Sequence, residues 1–151
     1  MKYETRNAVA VRRQAGIDAL SIAEAARAAA EAKKALDVVL LDVHELTIIA
    51  DYFVLASGTT STHVKAITDA ILEELKDRSV LPLHREGTVE AGWIILDYAD
   101  TVVHVFHVRE REYYDLERLY RGARTLKSPA TQAASPATGN PTAGTNPASG
   151  S

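Results

Sequence analysis

The sequence predicts a small single-domain α/β fold, a mixed β-sheet flanked by helices, and three observations predict it. Four short stretches are rich in apolar residues at strand-like spacing, and others repeat their apolar residues at helical spacing, so strands and helices interleave. Two of the strand-like stretches, "WIILDY" and "VVHVFHV", are separated only by Ala99–Thr101. So short a link forces an antiparallel hairpin, because a parallel return needs a dozen or more residues. From Lys127 onward the composition changes abruptly: that stretch holds four of the five prolines, three of the eight glycines, no aromatic residue and a single charge. Such a segment cannot bury enough apolar surface to offset its ordering entropy. The expected organisation is a loose leader over 1–15, a folded unit over 16–126 and a disordered tail over 127–151.

Within the folded unit, Ser21 and Glu24 stand three apart before an alanine-rich run, the pattern of a capping box, and the helix is expected to reach about Lys34. "DVVLLDV" is continuous and β-branched, so it reads as a strand covered on both faces. "DYFVLAS" is a second strand. "SGTTST" then supplies helix-capping residues before a helix whose apolar positions are Val64, Ile67, Ile71 and Leu75. A loop with Pro82 and Gly87 follows, with a short strand expected near Leu83–Arg85, and then the hairpin. From Arg109 the period changes to 3.6. Tyr113, Leu116, Glu117 and Tyr120 fall on one side of a final helix, with Arg118, Arg121 and Arg124 toward its C-terminal end.

The chain has 151 residues, 46% hydrophobic and 25% charged, as expected of one soluble globular domain. No cysteine is present, which excludes disulfides, thiolate metal sites and cysteine nucleophiles. No apolar run approaches the roughly 20 residues that span a bilayer, and the first residues lack a signal peptide's apolar block. An intracellular, cytoplasmic protein without membrane contact is expected. The net charge of −3 points to little direct nucleic-acid contact and toward a protein partner, although an acidic protein can still carry a local basic patch.

The chemistry-bearing residues do not assemble into a catalytic motif. His104 and His107 lie three apart on a strand, so they point to opposite faces and cannot grip one ion; no metal or cofactor is expected. "ASGTTS" lacks the G-x-S-x-G elbow, and the P-loop lysine is missing. A strand followed by Ser-Gly and a helix suggests a nucleotidyl-transfer fold. There, two acids two residues apart on a strand hold metal ions about 4 Å from each other. Two residues beyond Asp42 stands His44, and two beyond Asp97 stands Ala99, so neither acid has its pair. What the hairpin and last helix offer instead is Trp93, Tyr98, His104, Phe106, Tyr113 and Tyr114 among arginines, the composition of protein-interface anchors. Trp93 and Phe106 suit either a core or an interface, while Tyr114 suits an interface.

The segments "ALDVVLLDV", "ADYFVLASGTTSTHVKAITDAI", "EGTVEAGWIILDYADTVVHVF" and "REYYDLERLY" resemble, in order and spacing, the ribosomal silencing factor family, also called the Iojap or YbeB family. The resemblance runs from about Ala35 to Tyr120, and Tyr120 stands where members often carry tryptophan. It implies a nucleotidyltransferase-like fold without catalytic acids, and no enzymatic activity. It further implies binding to the large ribosomal subunit through ribosomal protein uL14, which sterically blocks joining of the small subunit under nutrient limitation, with some members aiding large-subunit assembly. On matching positions the partner contact would involve Trp93, Tyr98, His104 and Tyr114, with Asp97 and Glu117 as polar partners. A free sheet edge leaves a homodimer open. The rival expectation is a residual nucleotide- or phosphate-binding enzyme using "SGTTSTH".

Overall fold

The first helix, α1 (Ala19–Ala32), is capped by Asp18 rather than by Ser21 in the computed structural model, which describes residues 17–127. Asp18 Oδ1 accepts the Ser21 N–H at 2.8 Å, so the cap lies one turn earlier than the expected box, and Glu24 pairs with Arg27 instead. The expected leader and tail lie outside the described residues, apart from Lys127. Strand β1 (Leu36–Asp42) pairs antiparallel with β2 (Tyr52–Gly58), and α2 (Ser61–Lys76) follows. Three strands come next: β3 (His84–Thr88), β4 (Trp93–Asp97) and β5 (Thr101–His107). The expected hairpin is β4–β5, with Ala99 at φ 78° in its turn and Asp97 accepting the Ala99 N–H at 2.8 Å. Asn, Asp and Gly usually take such a left-handed position, so here the Asp97 side chain does the local stabilising.

The six strands run in the order β3-β4-β5-β2-β1-β6, and the β2–β5 pair is parallel while its neighbours are antiparallel. Helices α1 and α2 cover one face. The four apolar positions of α2 read from the sequence, Val64, Ile67, Ile71 and Leu75, are all fully buried. Alanines 23, 26 and 30 of α1 let the two helices approach closely over Leu40, Val54, Ala56, Ile94, Leu96, Val103 and Val105.

The last expected helix is not continuous. It breaks into α3 (Val108–Tyr114) and the short α4 (Leu116–Leu119), and Arg124 belongs not to a helix end but to an edge strand, β6 (Arg124–Leu126), paired with β1. Asp115 takes the left-handed conformation (φ 48°, ψ 53°) between the helices, which redirects the chain across the sheet's second face. A straight helix would leave the β1 edge unpaired; the break lets 108–127 act as a strap that satisfies it. Buried Arg27 fastens the strap's end, donating to the carbonyls of Leu126 at 2.5 Å and Lys127 at 3.3 Å.

Ile71→Ala should destabilise the domain by about 2–5 kcal/mol, since its side chain is fully enclosed between helix and sheet. Urea denaturation would show a lower midpoint with an unchanged slope.

Candidate protein-docking face

Alternation along the strands sends one residue in two to the second face of the sheet. That face carries Val39 and Leu41 of β1, Phe53 and Leu55 of β2, Val102 and Phe106 of β5, and Trp93 and Ile95 of β4. Leu116, Tyr120 and Ala123 of the strap cover its β1 side. On the β4 side the cover ends, so Trp93, Ile95 and Asp97 are only half-buried.

The rings on this face form one connected strip. Trp93 stacks on Phe106 with centroids 5.0 Å apart and meets Tyr114 at 4.6 Å. Tyr113 lies edge-to-face on Tyr114 at 5.0 Å. Inward, the His104 ring lies 6.0 Å from Trp93 and edge-to-face with Phe53 at 4.9 Å, and Phe53 meets Tyr120 at 4.8 Å. Tyr113 and Tyr114 remain 81% and 47% exposed at the open end, so neither packs into the core.

Three polar arrangements hold the strip. The Trp93 indole donates from Nε1 to His104 Nδ1 at 3.2 Å, and because an indole can only donate, the imidazole must carry its proton on Nε2. Burial, with the nearby Arg111 charge second, pushes the His104 pKa down to about 4, so the ring is neutral at neutral pH. Its Nε2 is buried without a hydrogen-bond partner among the described residues. Arg111 of α3 donates to Ser57 Oγ at 2.8 Å, to the Asp37 carbonyl at 2.9 Å and to Glu117 Oε2 at 2.6 Å, tying α3 and α4 to the ends of β1 and β2. Desolvation raises the Glu117 pKa, but hydrogen bonding and charge from Arg111 outweigh it, and the net shift is downward.

The structure brings together four of the six residues expected at a partner contact: Trp93 and Tyr114 in contact, His104 behind Trp93, and Glu117 holding Arg111. Asp97 lies on the same face but its carboxylate is engaged in the hairpin turn. Tyr98 needs correction as a contact residue. It is 1% exposed and packs in the helix-covered core, because its position along the chain sends it to the opposite face from Trp93. His104, 6% exposed, supports the surface from beneath rather than forming it. Phe53 and Arg111 were not singled out from the sequence. Phe53 reaches His104 only through the parallel β2–β5 register, and Arg111 meets Glu117 six residues on, a spacing that no continuous helix brings together.

Catalytic alternatives fit poorly. Asp42 and Asp97 sit on β1 and β4, three strand spacings or roughly 14 Å apart and on opposite faces, far too distant to share two ions. Among the described residues no cluster of three or more potential metal ligands occurs. The start of α2 is occupied by its own cap: Thr60 accepts the His63 N–H at 3.0 Å, and the His63 ring accepts the Thr59 N–H at 3.1 Å and meets the Lys33 carbonyl at 2.9 Å. No helix among the described residues is long and apolar enough to cross a membrane.

Fold and site together define a small α/β domain with one helix-covered sheet face and one half-open face lined by rings. A family model described as "Ribosomal silencing factor during starvation" matches residues 17–149. The chain is 39% identical over 103 residues to a ribosomal silencing factor of Bacillus subtilis, covering 68% of this chain and 87% of the relative. It is 32% identical over 99 residues to the mouse "Mitochondrial assembly of ribosomal large subunit protein 1", covering 64% of this chain and 42% of that protein. A crystal structure of a Chromobacterium violaceum protein superposes with a TM-score of 0.67 at 30% identity, covering 75% of this chain and 93% of that one. The chain belongs to the ribosomal silencing factor family, RsfS.

The neutral His104 sets a pH dependence. An unfolded imidazole takes its proton near 6.5 and the folded one only near 4, so in that window the unfolded chain binds the extra proton. Stability should therefore be fully present above pH 6.5 and fall, by roughly 3 kcal/mol, as pH drops to 4. In His104→Asn, which keeps an acceptor for Trp93, denaturation midpoints should lose that part of the slope.

Proposed function

We propose that this protein silences translation by occupying the large ribosomal subunit, with its ring-lined face docked on ribosomal protein uL14 where the small subunit would join. The observation that carries this reading is the Trp93–Tyr114 contact: a ring on β4 and a ring at the end of α3 braced against each other, with their outer parts open to solvent. Rings with polar tips dominate interface energetics, and bracing them before contact lowers the entropic cost of docking. Ile95 extends the apolar patch and Asp97 stands at its rim, while Glu117 acts from the β1 side by holding Arg111.

The mechanism is steric and involves no turnover. A standard interface takes about 800 Å² from each partner, which one face of this domain can supply, leaving its two-helix layer to project into the space the small subunit needs. Silencing then follows occupancy, governed by concentration and dissociation rate. The same contact suits an assembly role like the one in the mouse relative's name, since a factor that holds the joining face can protect an immature subunit. Its place of action is the cytoplasm, with the ribosomes.

Tyr114→Ala and Trp93→Ala should each weaken binding to purified large subunits by about 1–4 kcal/mol, read by co-pelleting. Tyr98→Phe, altered only in the buried core, should bind like the wild type. Tight binding by both alanine variants, with their folding confirmed by thermal melts, would overturn the assignment of this face.

A further inference from the structure

A groove of about 350 Å³ lies between β1 and the strap, beside the ring strip but outside the Trp93–Tyr114 patch. Val39, Leu41 and Tyr120 give it an apolar and aromatic lining, and Arg118 and Arg121 border it. Both arginines are exposed, and among the described residues neither forms an ion pair. The groove's Glu117 is already neutralised by Arg111 at 2.6 Å, which leaves Asp115 as the one opposing carboxylate in the lining. The strap is also the basic part of an acidic molecule. Over residues 108–127 it carries six cations (Arg109, Arg111, Arg118, Arg121, Arg124, Lys127) and four carboxylates, a net +2, against −5 for the rest of a chain whose total is −3.

We propose that this groove is a separate contact for RNA backbone, with phosphates on Arg118 and Arg121 and a sugar or base against Tyr120. Unpaired arginines beside a tyrosine are the combination that holds single-stranded or looped nucleic acid without reading its sequence. An acidic protein surface would satisfy the charges but would not use the ring between them. The whole-chain charge argues against nucleic acid only on average; the strap concentrates the positive charge on one side. The proposal depends on the ribosomal reading only for the source of the RNA, since a large subunit presents such backbone beside its surface proteins.

The test compares the wild type with the double variant Arg118→Ala/Arg121→Ala on three probes: a short fluorescein-labelled oligouridine, isolated uL14 and purified large subunits. Both side chains are exposed, so melting should be unchanged; Arg118→Gln/Arg121→Gln repeats the comparison if it is not. The wild type should bind oligouridine with affinity falling steeply between about 50 and 200 mM salt. Loss of two phosphate contacts should make the log–log slope shallower by about 1.4. Subunit binding should weaken several-fold at low salt, while binding to isolated uL14 stays the same. No wild-type binding to oligouridine, or equal slopes for both proteins, would overturn the proposal, as would parallel loss of uL14 binding, which would mean the arginines face protein. Oligouridine binding that behaves as expected, without any binding to subunits, would sustain the groove and overturn the silencing reading instead.

Discussion

The parallel pairing of β2 with β5 is the constraint from which the arrangement follows. Parallel neighbours cannot be joined by a tight turn, so the chain between them must leave the sheet and return. It does so through α2, β3 and β4, and α2 thereby packs on one face. The register sets Gly58 beside His107, so two chain segments leave the sheet side by side. The first, after Gly58, becomes α2. The second, after His107, must take the other face, and its twenty residues to Lys127 become the strap. Six of the seven residues of β5 are buried because both departures are built over it.

Asymmetry between the two faces is what makes the second one usable. Two full helices and their alanine-mediated contact close the first face over its four inner strands, leaving β3 exposed at the edge. The strap has only seven-residue and four-residue helices, and it closes the second face only as far as Tyr120. The rings beyond that limit are held rather than loose. Each aromatic pair adds about 0.5–1.5 kcal/mol beyond its buried area, and the Trp93–His104 hydrogen bond adds about 1 kcal/mol and orients the indole. A histidine serves here because its neutral form accepts from the indole, while its charged form could not accept and would be buried next to Arg111.

The strap also explains why local charge and average charge differ. In a continuous helix, Arg118, Arg121 and Arg124 would have favoured the C-terminal dipole and nothing more. Once Asp115 turns the chain, Arg118 and Arg121 border the groove over β1, and Arg124 moves to the sheet edge, 3.6 Å from Asp42.

Period and spacing were sufficient for most elements. The α2 stripe, the β1–β2 pair and the β4–β5 hairpin depend on contacts between near neighbours in the chain, and those are written locally. The aromatic content of the site was legible for the same reason. Which rings share a surface was not. Tyr98, one residue past the end of β4 and five from Trp93, faces the opposite way, so its burial depends on which face the helices cover. Phe53 and His104 are brought together by a long-range register, and the final helix breaks because β1, more than 80 residues earlier in the chain, needs a partner for its edge, a demand no local window carries. The sequence by itself determined the elements and the chemistry they could present; the tertiary structure decided the faces, because side-chain alternation assigns two sides and only packing says which one is left open.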